Sequence, residues 1–316
     1  NVLLTHAGIV EGIYEPESKK TLITAGLRAN YFDKFGTFLF EPRLQFNQSI
    51  TSSVKLEILA EQKSQTLSQI IDLQQDFLGV EKRRWTLANN NTIPIQKSNQ
   101  FSIGFNFKKN NWLITLDNFY KKITGITTSS QGFQNQFELE KSVGDYQVLG
   151  TEFLIQKTFN HFYSWLSYSF NDNKYDFNQL TNFNFPNNFE VTHAISWAGI
   201  YEWKQVKFAL GTKWHTGRPI TTPVNNFVTQ TNPNIVYNSP NNSKLEDYFQ
   251  VNFSASKKWI LSNTIKLETA VSVLNLLNTK NSINRFYRVN SANNSVESVD
   301  TFSLEMTPNF NVRLSF

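Results

Sequence analysis

The sequence contains no cysteine. That excludes a disulfide framework and any thiolate-ligated metal site, and it fits an oxidising compartment in which stray thiols are a hazard. No stretch approaches the roughly 18 consecutive apolar residues of a membrane-spanning helix. Barrel strands need only about 9–11 residues and alternate in polarity, so that route across a bilayer stays open. Basic runs are missing too, Lys82-Arg83-Arg84 being the densest cluster. A net charge of +5 with a pI of about 9.1 is too mild and too scattered for a nucleic-acid partner. There is no Gly-x-Ser-x-Gly elbow, phosphate-binding glycine loop or His-Glu-x-x-His. The four histidines, His6, His161, His193 and His215, lie far apart in the sequence without ligand-like spacing. No enzyme, metal or cofactor is therefore expected. Residue 1 does not open a charged n-region followed by an apolar h-region, and the expectation is a mature piece of an exported protein, or part of one.

Rings are what the sequence has in quantity. Phe, Tyr and Trp number 28, 11 and 7, together 15% of 316 residues, yet the mean hydropathy is −0.39. A soluble core seldom needs so many aromatics beside so much Asn, Gln, Ser and Thr. A wall that shows rings to lipid on one face and polar groups to water on the other does.

The periodicity agrees. Ile23, Ala25, Leu27, Ala29 and Tyr31 alternate with Thr24, Gly26, Arg28 and Asn30. Phe38, Phe40, Pro42, Leu44 and Phe46 alternate with Leu39, Glu41, Arg43, Gln45 and Asn47. A period of two with one apolar face is the signature of a half-buried strand. The same pattern predicts strands over Val2–Pro16, Val54–Ala60, Phe101–Phe107, Trp112–Thr127, Leu149–Phe159, Phe162–Phe170, Ala194–Trp203, Val206–Thr216, Phe249–Trp259, Ile265–Asn275 and Met306–Phe316, about thirteen in all. Residues 65–97 break the alternation and read as a loop with one helical turn around 67–77. Connections alternate short and long, the long ones at 66–97, 128–146, 171–192, 217–246 and 278–304, with one short exception at 33–36. Outer-membrane barrels show this asymmetry between tight periplasmic turns and extended extracellular loops. The fold class expected is all-β, an antiparallel transmembrane barrel. Bacterial barrels have even strand numbers, and the first and last strands here both run toward the short-turn end, so they cannot be antiparallel neighbours. Residues 1–316 are thus expected to be one barrel portion lacking its N-terminal strands.

Three stretches carry a family resemblance. Val273-Leu274-Asn275-Leu276-Leu277-Asn278-Thr279-Lys280-Asn281, the Arg285-Phe286-Tyr287 that follows, and the closing run Pro308-Asn309-Phe310-Asn311-Val312-Arg313-Leu314-Ser315-Phe316 resemble the close of a TonB-dependent outer-membrane receptor. Ala25-Gly26-Leu27-Arg28 and Glu41-Pro42-Arg43 are similar to its barrel strands, and Gly217-Arg218-Pro219 to a segment at a strand's outer end. The resemblance implies a barrel of about 22 strands around a plug, the plug and its TonB-contacting segment lying upstream of residue 1. It implies partners as well: outer-membrane lipid, the TonB system through that plug, the barrel-assembly machinery reading Phe316, and in some members a surface lipoprotein. Its function would be uptake of a scarce nutrient. A passive porin-like or assembly-scaffold barrel, and an outer-membrane barrel enzyme with an Asp/His pair at its rim, are the alternatives.

Two sets of residues are candidates for function. Arg28, Glu41, Arg43, Glu57, Glu152, Lys213 and Arg313 alternate with apolar positions and are expected to face the lumen, where they contact a plug or ligand or merely pair with one another. Phe38, Phe40, Leu44, Phe101, Ile103, Phe105, Phe310, Val312 and Leu314 are expected to face lipid. In the long loops Arg83, Trp85, Phe183, Phe185, Arg218 and Tyr237, with Phe137 and others, offer ring faces and cations among amides and hydroxyls. Such a set suits a sugar or peptide ligand, or loop-on-loop packing. Gly217-Arg218-Pro219 reads as a turn determinant before a ligand contact.

Overall fold

The computed structural model describes residues 3–72, 82–89, 92–131, 133, 141–229 and 233–316. Its strands in chain order are β1 (Thr5–Tyr14), β2 (Thr21–Phe32), β3 (Thr37–Ser49), β4 (Val54–Gln65), β5 (Leu67–Asp72), β6 (Lys82–Leu87), β7 (Gln96–Lys109), β8 (Trp112–Thr127), β9 (Val143–Thr158) and β10 (Phe162–Asp176). They continue as β11 (Phe185–Pro186), β12 (His193–Trp203), β13 (Val206–His215), β14 (Pro219–Ile220), β15 (Ser243–Lys244), β16 (Tyr248–Ile260), β17 (Lys266–Leu274), β18 (Ser282–Val289), β19 (Val296–Phe302) and β20 (Thr307–Ser315). One four-residue helix, α1, covers Thr128–Gln131.

The thirteen strands read from the alternation form a sheet in the order β1-β2-β3-β4-β7-β8-β9-β10-β12-β13-β16-β17-β20, with β11 paired to β10. The ladders between these neighbours are antiparallel wherever their register is resolved. Nearest-in-sequence pairing of this kind sends successive connections to opposite strand ends, so short and long connections segregate. Tight turns follow local chemistry. Asn110 and Asn111 both hold positive φ, 50° and 63°, the left-handed pair that a two-residue hairpin turn demands and that Asn tolerates.

The helical turn expected around 67–77 is not formed where the structure describes it. Leu67–Asp72 is strand β5, paired with β6 from Leu67↔Leu87 to Asp72↔Lys82. Leu67, Ile70 and Ile71 have helix-like spacing, but a cross-strand partner satisfies the backbone groups that face it, and context overrides the local pattern. Residues 73–77 lie outside the described residues. Two other segments read as plain loops hold ladders of their own, β14 with β15 and β18 with β19.

Contacts divide the chain into two units. The first comprises residues 1–106, 117–151 and 171–190. Register places Arg28 opposite Glu41, Gly26 opposite Arg43 and Arg43 opposite Glu61. The charges therefore share one face, and Leu27, Phe38, Phe40 and Leu44 share the other. The unit's buried cluster lies at the ends of β8 and β10 and in the connections beyond them, formed by Ile123, Ile126, Phe133, Tyr175, Phe177 and Phe185.

The second unit comprises residues 107–116, 152–170 and 191–316. Here Phe208, Ala255, Val271 and Phe310 form a cross-strand row on one face, while Lys207, Ser256, Ala270 and Asn311 form the adjacent row on the other. Val271 and Phe310 of this row are exposed, at 50% and 71%, and Phe208 and Ala255 are half-buried. Leaving such a face to water forfeits about 25 cal/mol per Å² of apolar area, so a hydrocarbon neighbour is what the pattern calls for.

Candidate functional site

Three groupings of polar and aromatic side chains stand out. The first is the charged strand face. In unit 1 Arg43 forms an ion pair of 2.7 Å with Glu11. Arg28 donates through Nε to Asn30 Oδ1 at 2.8 Å. Glu41 accepts from the Ser64 backbone N–H at 2.9 Å and from its hydroxyl, and Glu57 accepts from Gln45 at 3.4 Å. In unit 2 Lys213 sits over the Tyr248 ring at 5.8 Å, and Arg313 is the cross-strand partner of Glu268. Glu152 is exposed on β9. Much of this face is thus tied to itself, a wall that keeps polar groups satisfied while leaving them wetted.

The second grouping is the long-connection assembly of unit 1. Phe185 is 1% exposed, with its ring 5.5 Å from Tyr175 and 6.0 Å from Phe133. Phe177 packs edge-on to Phe133 at 5.5 Å. A Cβ at Gly144 would lie 2.4 Å from Phe177 Cδ1 and 2.6 Å from the Asp176 carbonyl oxygen, so only glycine admits this approach. Tyr175 donates its hydroxyl to Gln131 Oε1 at 3.0 Å, fixing α1 to the cluster. Phe185 is therefore a packing residue. Trp85 and Phe183 are exposed, Trp85 at 65%, and are among the rings of this unit open to a ligand. Arg83 is exposed on β6 beside Trp85. Phe137 lies outside the described residues.

The third grouping is the long-connection assembly of unit 2, and here the motifs of the resemblance acquire physical roles. At Gly217 a Cβ would fall 1.7 Å from the Leu245 carbonyl oxygen. The Gly217 N–H reaches Asp247 Oδ1 at 3.2 Å, and Arg218 donates from Nη2 to the Ile283 carbonyl at 2.7 Å while its own carbonyl accepts from Leu245 N–H at 2.9 Å. Gly217 thus allows a close approach to the Leu245 backbone, and the Arg218 guanidinium is engaged by the Ile283 carbonyl. Tyr237 meets Tyr287 edge-on at 6.4 Å.

Arg285 holds two carboxylates. Its Nε donates to Asp300 Oδ1 at 2.6 Å and its Nη2 to Glu246 Oε1 at 3.1 Å. The hydrogen bond from Arg285 keeps the Asp300 carboxyl below the usual carboxylate range. Glu246 is lowered by its own backbone N–H and then by Arg285. Asn275, Asn278 and Asn281 are clasps. Asn275, 1% exposed, donates to the carbonyls of Thr279 and Leu304 at 2.9 and 3.2 Å and accepts from Thr279 N–H at 3.0 Å. Asn278 Oδ1 accepts from Met306 N–H at 2.8 Å, and Asn281 bonds both backbone groups of Phe249. Sequence reasoning found these asparagines without their roles. It missed the Arg285 cluster, although an Arg and an Asp on two strand-like runs joined by Asn-rich residues signal a hairpin ion pair.

Three of the histidines have assignable neighbours. His6 lies 3.5 Å from Asp33 with both side chains largely exposed. His193 Nδ1 is 3.0 Å from the Tyr168 hydroxyl, and His215 stacks on Tyr248 at 4.8 Å. Among the described residues no group of three His, Cys, Asp or Glu could hold a metal. No helix among them is long and apolar enough to cross a membrane, which says nothing of strands.

An antiparallel sheet with one apolar face, one charged face and elaborated alternate connections defines the outer-membrane barrel class. Within that class the fold is that of TonB-dependent receptor barrels. The ferric yersiniabactin uptake receptor of Yersinia pestis superposes on 99% of this chain with a TM-score of 0.65 at 11% identity, using 46% of its own length. The outer-membrane transporter YddB of Escherichia coli gives 0.64 at 10% identity over 98% of this chain and 45% of its own. The ferripyoverdine receptor of the Pseudomonas aeruginosa outer membrane gives 0.64 at 11% identity over 99% and 38%. The chain spans less than half the length of these proteins. No family profile matches the sequence, and no curated protein is detectably similar to it.

Proposed function

We propose that residues 1–316 form the barrel wall of an outer-membrane receptor that imports a scarce nutrient, with energy delivered through TonB to a plug seated against the charged face. The reading rests on one observation above others: the strand order and its elaborated long connections superpose over almost the whole chain on solved receptors, several of which carry ferric chelates by name. The charged face supports it, since a plug must stay docked and yet yield, and exposed ion pairs of about 0–1 kcal/mol each are suited to both. A ferric chelate is the nutrient class favoured by those neighbours. Exposed Trp85 and Phe183 offer stacking surfaces for it. Outer-membrane lipid is the solvent of the apolar face, Phe316 is the residue offered to the barrel-assembly machinery, and a surface lipoprotein would have the long connections as its landing surface.

The test is uptake. Cells with and without the gene are offered radiolabelled ferric citrate and a ferric catecholate, in the presence and absence of a protonophore. Gene-dependent uptake abolished by the protonophore is expected for at least one of them. Gene-dependent uptake that survives de-energisation would replace the receptor with a passive pore.

A further inference from the structure

At the short-connection end of unit 2 a cavity of about 610 Å³ opens among the ends of β12, β13, β16, β17 and β20. That volume is in the range of ligand sites, roughly 300–1,000 Å³. Its lining is strongly of one sign: Lys204, Lys207, Lys258, Lys266 and Arg313 against Glu202 and Glu268. Lys207 is spoken for, 3.5 Å from Glu202. Among the described residues the side chains of Lys258, Lys266 and Arg313 make no hydrogen bond or ion pair. Register explains how they gather. Lys258 is opposite Glu268, Glu268 is opposite Arg313, and Lys266 is opposite Ser315. Neighbouring strands lie about 4.8 Å apart, so Glu268 stands directly between Lys258 and Arg313 and offsets part of their charge, while Lys266 faces Ser315 and no carboxylate. Surfaces usually balance the two signs. Five cations against two carboxylates leave an excess of positive charge in this concavity, which an anionic partner would relieve.

Which anion follows from face and spacing. These cations share the face opposite Phe208, Val271 and Phe310, so a lipid headgroup, which belongs on the apolar side, meets the wrong face. A single small anion would touch one or two of the cations. Carboxylates along an extended chain recur about every 3.4–7 Å, the scale of the strand spacing, so two or three of them engage cations on successive strands at once. Exposed Ile260, at 69%, lies among the cations and gives such a chain an apolar foothold. We propose that this cavity is a docking site for an acidic peptide segment of a partner protein, approaching from the short-connection end. The site goes beyond the transport reading and stands whether or not a ferric chelate is carried.

The experiment uses the full protein in detergent and a fluorescein-labelled peptide alternating Asp with Ser, with its Asn counterpart as control, followed by anisotropy. The Asp peptide should bind, the Asn peptide should not, and added salt should weaken binding. Lys258→Gln with Arg313→Gln should lower affinity about tenfold or more, while Lys141→Gln, a cation on a long connection of unit 1, should leave it unchanged. The charge-swapped Lys258→Glu with Arg313→Glu should instead select a Lys–Ser peptide, a reversal that misfolding cannot produce. Equal binding of the Asn peptide, indifference to the double variant, or an equal loss in Lys141→Gln would overturn the proposal. So would displacement of the peptide by phosphatidylglycerol micelles, which would assign the cavity to lipid headgroups.

Discussion

Replacing Asn275 with Ala removes one buried side chain and strands several backbone groups. Three hydrogen bonds disappear: those to the Thr279 and Leu304 carbonyls and that from the Thr279 N–H. The Thr279 carbonyl keeps only a long contact from Asn281 Nδ2 at 3.5 Å. The half-buried Thr279 N–H is left without a partner, at about 1–3 kcal/mol for an unsatisfied group, while the carbonyl of Leu304, a residue 72% exposed, can turn to water. Asn275 also holds φ at 52°, a left-handed conformation that costs an ordinary residue about 1–2 kcal/mol and Asn less. The sum is about 2–5 kcal/mol, a large share of the 5–15 kcal/mol stability typical of a domain. Asn275→Gly separates the two causes: it relieves the backbone but still loses the side-chain hydrogen bonds, and should cost about 1–3 kcal/mol. Asn275→Asp retains the acceptor for Thr279 but sets a carboxylate against two carbonyls, so it should not rescue. Urea midpoints in mixed micelles, read by tryptophan fluorescence, measure all three, and hydrogen exchange over residues 275–306 reports whether the loss is local. An Ala variant within about 1 kcal/mol of the parent would refute the clasp argument.

Three further expectations concern other parts of the fold. Gly217→Ala places a Cβ 1.7 Å from the Leu245 carbonyl oxygen, whereas at Gly12 nothing lies within 4 Å; the first should cost about 1–3 kcal/mol or more and the second little, compared by the same urea midpoints. Asp300 and Glu246 have lowered carboxyl pKa values, so their contribution to the β18–β19 hairpin is present above the ordinary carboxylate range and is lost as pH falls through the lowered values. Exchange protection of Ser282–Phe302 should therefore hold from neutral pH to about 4.5 and fade below it, and Asp300→Asn should flatten that dependence. Phe310→Arg should cost about 2–4 kcal/mol in a bilayer while Asn311→Arg, one residue along on the opposite face, costs little; equal penalties from reversible unfolding into urea in the presence of vesicles would show the faces to be misassigned.

How much of this was legible depended on whether an element's neighbours had to be known. The thirteen long strands were, because a face against hydrocarbon and a face against water impose a period of two that no local competitor imitates. Trp112–Thr127 was read to its ends. Leu67–Asp72 was misread because its apolar spacing is helix-like and its strand state depends on a partner at 82–87. The hairpin of β18 and β19 went unread for a related reason: Arg285 and Arg288 interrupt the apolar pattern, and they are tolerated there by pairing with Asp300, Glu246 and Glu297 on neighbouring chain.

The site residues divide along the same line, and the division has a consequence for where function can reside. Arg28, Glu41 and Arg43 were placed on one face by alternation alone, and register agrees. Aromatics in the long connections carry no such period, so Phe183 and Phe185, two residues apart, could not be told apart from sequence; one is exposed and the other is the centre of a packed ring cluster. Arg218 looked like a free cation and is spent on the Ile283 carbonyl. Each residue so consumed stiffens the long connections, and a stiff rim loses less entropy when it takes up a ligand. The residues that hold a binding surface in shape are thus buried and clasping, Asn275, Phe185 and Arg285 among them, while those able to touch a ligand are exposed rings such as Trp85. Substituting Trp85 by Ala should then weaken ligand capture by the intact receptor and leave its urea midpoint in place, and Phe185→Ala should lower the midpoint through a stability loss of about 3–5 kcal/mol; a Trp85 variant that lost stability instead would place that ring in the scaffold.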